Sequence, residues 1–388
     1  MNKAYLPNLT ALRGIAAILV ATLHFHFFLA AIVPYAHAGL MDKLYLMVDL
    51  FFILSGFIMC HVYEDSFTQG IKGRKYRNFL LARLARIYPL HVLALVAEIG
   101  ICCFFIATEK FDLLSVPNQH LYRFDAIPIQ LVFLQTVGIY NFDTWNAPAW
   151  SLSAEWWAYV LFPFLFIAFR KLGYKKWFVG SLMAIGSWIA IEFLLAPLEP
   201  FMDNPPNPNH KTLDVNWHYG TLRGITGFIA GMSVWQLFTR EVGRSFLGNG
   251  WTCAAIAMLS LVSMQIKWID TLTVVLFACL ILSSAYGSPM IDRIYAWKPF
   301  VKLGQWSFSI YMWHMILIHI IIACFMMERS EPVKGLLRPL NHGTFFEKWL
   351  WFLGFLVLTS AIGYLSFRFI ENPVRKAIRA RIPQDTAS

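Results

Sequence analysis

The sequence predicts an all-α, polytopic membrane protein with about ten transmembrane helices and both termini in the cytoplasm. Three observations predict it: charged residues are scarce, apolar runs of spanning length recur along the chain, and Lys and Arg crowd alternate loops. Of 388 residues, 58% are hydrophobic and 14% charged. Soluble domains carry about a quarter charged residues. A chain this short of charge cannot cover a globule with polar surface, so lipid must be its main solvent.

A helix needs about 17–25 apolar residues to cross ~30 Å of hydrocarbon. In order, the spans read Leu9–Ile32, Leu44–Tyr63, Ile87–Ala107, Ser153–Phe169 and Trp177–Leu195. Then come Trp217–Phe238, Trp251–Met264, Thr271–Tyr286, Val301–Met326 and Trp349–Ile370. The seventh and eighth are short. The first contains Arg13 and is followed by Pro34 rather than a small-residue cleavage site, so it reads as a retained helix and not a signal peptide. Ile127–Ile139 carries Pro128 and Gln135 and reads as an interfacial or re-entrant piece. Gly220, Gly224, Gly227 and Gly231 recur at helical spacing in the sixth span, which lets a neighbouring helix approach closely. The outer connection Ala196–Asn216 is rich in Pro and Asn (Asp203 to Asn209), favouring turns.

Orientation follows from the basic residues. One set of alternate loops holds Lys72, Arg74, Lys75, Arg77, Arg83, Arg86, Arg170, Lys171, Lys175 and Lys176. The same set continues with Arg240, Arg244, Arg293, Lys298, Lys302 and the tail cations Arg375, Lys376, Arg379 and Arg381. The opposite loops are sparser, and the basic residues of Glu328–Lys348 are diluted by acids, so the first set is cytoplasmic. This placement accounts for the net charge of +10 without a nucleic-acid partner. The six cysteines lie in or at the ends of apolar spans with no CxxC or metal-ligand spacing, and read as small buried hydrophobes. No metal site is expected. The chain reads as one membrane domain over 1–376 and a short cytoplasmic tail over 377–388.

Charged groups inside spans are costly and usually face a cavity or a partner. At 1.5 Å per residue, His24 lies about 16 Å beyond Arg13 on the same helical face. His314 lies roughly 18 Å beyond Lys302. Counted from their cytoplasmic ends, Asp49 and Glu155 sit at roughly 22 Å and Arg223 at roughly 25 Å. Polar groups from five helices thus share the middle and outer half of the bilayer. Arg83 and Arg86, three apart, present one helical face to an anion together with Arg13 at the cytoplasmic end. Each also has a structural reading: His24 and His314 as packing histidines, Asp49 with Arg223 as an ion pair, Arg83 and Arg86 as topology determinants.

These residues fall in stretches that resemble the acyltransferase-3 family of membrane-bound acyltransferases, over essentially the whole chain. LTALRGIAAILVATLHF resembles its first-helix signature and supplies Arg13 and His24. VDLFFILSGFIM is similar to its second-helix motif, with Asp49, Ser55 and Gly56. RLARIYPLH matches its RxxR motif at Arg83 and Arg86, and WSLSAEWWAYVLFP its WSLxxE pattern at Glu155. LGQWSFSIYMWH resembles the ninth-helix motif that ends at His314, and RFIENPVRK the closing signature. Trp306 and Phe308 depart from residues common there. Some members add an outer SGNH-hydrolase-like domain that this chain lacks, which implies completion of the transfer by the membrane core or a partner.

The resemblance implies an enzyme of the inner membrane that moves an acyl group, acetyl by the family's habit, from cytoplasmic acyl-CoA to a hydroxyl of an envelope glycan or lipid-linked saccharide. Acyl-CoA is a co-substrate, and no permanently bound cofactor is implied. Arg13, Arg83 and Arg86 would meet the CoA phosphates, since guanidinium groups bind anions bidentately. His24 would be general base or acyl carrier. Glu155 would orient the acceptor or the imidazole, with Asp49, Arg223, Tyr311 and His314 in support. A proton-coupled transporter would use similar intramembrane groups, but no convincing internal repeat is present.

Overall fold

The computed structural model describes residues 5–34, 38–114, 116–200, 205–326, 337–340 and 342–382, and among these there is no β-strand. The main helices are α1 (Pro7–Phe28), α2 (Met47–Phe67), α3 (Gly73–Ala107), α4 (Trp150–Lys171), α5 (Lys176–Ala190) and α6 (Gly220–Thr239). They are followed by α7 (Gly250–Ser263), α8 (Asp270–Tyr286), α9 (Lys298–Met326), α10 (Phe345–Ser366) and α11 (Asn372–Ala380). Asp203, Asn204 and much of the 328–348 connection, on which part of the sequence reading rested, lie outside the described residues.

A helix occupies each of the ten expected spans, yet among the described residues seven are long and apolar enough to cross a membrane, or eight if α8 is joined to the bent helix Pro289–Tyr295. The differences have physical causes. α7 has 14 residues, only about 21 Å of rise, short of the hydrocarbon thickness. α6 has the length, but Arg223 and its glycines and hydroxyls lower its hydropathy. Most of its side chains are buried against other helices, so it needs no lipid-compatible surface. Between α8 and Pro289–Tyr295 the axis turns by 103°. Gly287, at φ +69°, and Pro289 interrupt the helix there. α1 ends at Phe28, short of the expected Ile32.

Local signals set the ends. Pro7 opens α1 at a position where its missing N–H is no loss. Thr344 and Glu347 form a reciprocal cap at the start of α10, with the Glu347 carboxylate accepting from Thr344 N at 2.7 Å. Ile127–Leu131 makes one short helix rather than a span. Large apolar side chains such as Val96, Phe104, Phe164, Leu350 and Val357 point outward, as lipid-facing positions do. The protein is a multi-pass membrane protein.

Lipid is as apolar as leucine, so close backbone packing rather than hydrophobic exclusion holds such helices together. α1 lies along α9, where Gly14 and Gly304 meet: a Cβ on Gly304 would strike the Thr10 carbonyl. α2 lies along α6, where a Cβ on Gly231 would strike the Ile53 carbonyl. These two close approaches determine which polar side chains meet.

Candidate active site

The α1–α9 contact sets His24 against His314. His24 Nδ1 lies 2.9 Å from Val20 O and 3.2 Å from His314 Nε2. A carbonyl can only accept, so His24 Nδ1 carries the proton. His314 Nδ1 lies 2.6 Å from Tyr311 O and donates to it, which leaves His314 Nε2 as an acceptor. Both contacts therefore agree on one tautomer, and His24 Nε2 keeps its lone pair. His314 is fully buried, whereas His24 lines a cavity.

The α2–α6 contact pairs Asp49 with Arg223. Arg223 Nη2 donates to Asp49 Oδ2 at 2.7 Å and Nε to Oδ1 at 3.1 Å, both side chains being fully buried. The remaining Arg223 nitrogen reaches Asp214 and Asn216, each at 3.3 Å, in the segment ahead of α6. The guanidinium also stacks over Trp150 at 5.1 Å. This pair anchors an extramembrane segment to two helices.

A cavity of about 140 Å³ is lined by Arg13, Arg83, Arg86, Ser55, Glu155 and Tyr159, among others. Arg83 Nη2 donates to Tyr63 OH at 2.8 Å. Among the described residues, Arg83 Nε has no partner, and the side chains of Arg13 and Arg86 make no hydrogen bond or ion pair. The carboxylate facing them, Glu155, accepts from Ser55 Oγ at 2.8 Å and Tyr159 OH at 2.5 Å. Three guanidinium groups therefore face one cavity with their donors largely unspent, an arrangement suited to a polyanion.

A second cavity, of about 550 Å³, opens on the other side of Tyr311 and Val48, which line both. His24 is in its wall, with Trp150, Asp143, Glu199, Asp214 and Trp217. The loop bearing Asp143 is tied to α9 by Asn146 Nδ2, which donates to Met312 O at 3.1 Å. Glu199 Oε1 accepts from the backbone N–H groups of Trp217 and His218, at 3.1 and 2.9 Å. Burial pushes the Asp143 carboxyl up to about 7, and Asp214 and Glu199 add to the rise. Tyr311 OH, on the divide, bonds Ser151 Oγ at 2.8 Å and Pro148 O at 3.1 Å.

All nine site residues read from the sequence are buried or half-buried, but they form three groups. His24, His314 and Tyr311 form one, Asp49 and Arg223 a second, and Arg13, Arg83, Arg86 and Glu155 a third. Glu155 does not share a cavity with His24, because α4 turns it toward Ser55 on α2. Sequence reasoning passed over Asp143, Glu199 and Asp214. They sit in extramembrane segments, where a carboxylate is unremarkable without tertiary contacts. Among the described residues no group of His, Cys, Asp or Glu could hold a metal ion, and no disulfide joins any of the six cysteines.

The model of the family described as acyltransferase domain matches residues 6–368. The peptidoglycan O-acetyltransferase OatA of Listeria monocytogenes is 22% identical over 97% of this chain and 56% of its own length. The O-acetyltransferase OatA of Staphylococcus aureus is 24% identical over 97% of this chain and 58% of its own length. The chain thus spans little more than half of these relatives. No solved structure matches it.

Proposed function

This chain belongs to the acyltransferase-domain family, and from that premise we propose that it transfers a short acyl group, acetyl first, from cytoplasmic acyl-CoA to a hydroxyl of a cell-envelope or exported glycan. The observation that carries the reading is the pair of cavities back to back: three arginines line one, His24 lines the other, and Tyr311 and Val48 belong to both. Arg13, Arg83 and Arg86 hold the phosphates of CoA, and its narrow pantetheine arm passes Tyr311 to bring the thioester carbonyl to His24. The relatives' printed names, which specify O-acetyl transfer to peptidoglycan in one case, favour a glycan hydroxyl as acceptor.

In the reaction, His24 Nε2 takes the hydroxyl proton as the acceptor oxygen attacks the thioester carbonyl. The C–O ester bond forms, the C–S bond breaks, and the CoA thiolate leaves and takes up the proton. The imidazolium formed on the way is stabilised at Nδ1 by Val20 O and His314 Nε2. Glu155 tempers the arginine cluster and orders Ser55 and Tyr159, a donor-side role in place of the acceptor-side role expected from sequence.

The arginine cavity faces the cytoplasm and both termini lie there, in line with the Lys/Arg asymmetry. A reporter fused to the C-terminus then reads cytoplasmic, and an external reading overturns the orientation. The reaction is tested with the purified protein in liposomes, labelled acetyl-CoA inside and a soluble oligosaccharide outside. Labelled ester on the sugar supports the reading; label that stays on CoA with every sugar tried overturns it.

A further inference from the structure

We infer that the cavity beside His24 is an acceptor site built for a sugar without negative charge, neutral or amine-bearing, whose hydroxyl or ammonium groups donate to Asp143, Glu199 and Asp214. The inference rests on the transfer reading above and adds the chemical class of the acceptor. About 550 Å³ falls within the range of ~300–1,000 Å³ for small-molecule sites. The three carboxylates come from two connections: Asp143 from the loop ahead of α4, and Glu199 and Asp214 from opposite ends of the connection between α5 and α6.

Their charge is poorly balanced. Among the described residues no Lys or Arg lines this cavity, and its other titratable groups are His24, His210, Tyr45 and Tyr311. Arg223 reaches Asp214 from behind but spends its best hydrogen bonds on Asp49. Glu199 is only 6% exposed, and its Oε2 has no hydrogen-bond partner among the described residues. A buried carboxylate oxygen left so still needs a donor that the described side chains do not supply. The carboxylates do not converge on a metal site. Sugar hydroxyls and amines supply such donors, and the indoles of Trp150 and Trp217 add apolar faces for the ring. A uronate or phosphorylated sugar would bring its charge against Asp214 and, increasingly above pH 7, Asp143, which specificity by repulsion uses to reject a partner.

The test uses the full chain in liposomes with labelled acetyl-CoA. Three acceptors of matched length are compared: a neutral N-acetylglucosamine oligomer, its de-N-acetylated amine form, and a glucuronate-containing oligosaccharide. The neutral and amine forms should be acetylated with kcat/KM at least about 10-fold above the uronate, one 1.4 kcal/mol step. Asp143→Asn with Asp214→Asn should shrink that ratio, with retained acetyl-CoA binding as the check on folding. Equal transfer to the uronate overturns the inference and leaves the transfer reading standing. So does an unchanged ratio in a double variant that still binds donor. Transfer to none of the three by protein that binds acetyl-CoA overturns the acceptor site and the transfer reading together.

Discussion

His24 Nδ1 lies 3.2 Å from His314 Nε2, and because His314 Nδ1 is held by Tyr311 O, the contact fixes which nitrogen of His24 is free to react. In the proposed mechanism His314 positions His24. His314→Ala should lower kcat for acyl transfer by on the order of 10²-fold with little change in acetyl-CoA binding. His314→Gln, whose carbonyl can still accept from Nδ1, should recover part of the rate. Equal rates in both variants and the parent would remove His314 from the mechanism.

His24 itself should be chemically required. His24→Ala and His24→Gln should both reach wild-type levels in the membrane and both lose at least ~10²-fold in transfer, the low end for general acid–base catalysis. Glutamine keeps size and some hydrogen bonding but cannot take the proton. A packing histidine would tolerate glutamine far better than alanine. Near-normal transfer by the glutamine variant would show that another group is the base.

The arginine cavity should be the donor site. Arg83→Ala and Arg86→Ala should each weaken CoA binding by about 1.5–3 kcal/mol, the worth of a hydrogen bond to a charged group. Lysine at either position should restore only part, because it lacks the bidentate fork. CoA affinity unchanged in both alanine variants would return the pair to a purely topological role.

The Asp49–Arg223 pair should matter for assembly. Asp49→Asn leaves a buried guanidinium with only the more distant and more exposed Asp214 as counter-charge and should cost about 3–5 kcal/mol. Asp49→Asn combined with Arg223→Gln removes both charges and should recover much of that loss. Thermal unfolding in detergent measures both. A double variant no more stable than the single one would contradict an ion-pair account.

Asp143 gives a pH signature. Its folded carboxyl titrates near 7 against an ordinary 3.8, so between those values the folded protein holds a proton that the unfolded chain has lost. Stability contributed at this site therefore falls as pH rises from about 4 to about 7, and is level above. Asp143→Asn should match the parent near pH 4 and exceed it at pH 8 by on the order of 2 kcal/mol. A difference between the two proteins that is the same at both pH values would show that Asp143 titrates normally.

The sequence by itself determined where the chain is helical and which polar residues it must keep inside. Length, apolarity and the fixed rise of a helix located the ten helices and the places of His24, Asp49 and His314 along them, though among the described residues only seven or eight are long and apolar enough to cross a membrane. The first-helix pattern of Arg13 and His24 was legible for the same reason. Tertiary structure alone decided which of these groups meet. The azimuth of each helix comes from backbone approach at pairs such as Gly14 and Gly304, contacts between residues 290 positions apart. That is why Glu155, placed at the depth of Asp49 by counting, turns instead to Ser55 and the arginines. It is also why Asp143, Glu199 and Asp214 carried no signal of their own: each lies on an irregular segment with no period. Only the fold returns those segments to the mouth of the cavity that His24 lines.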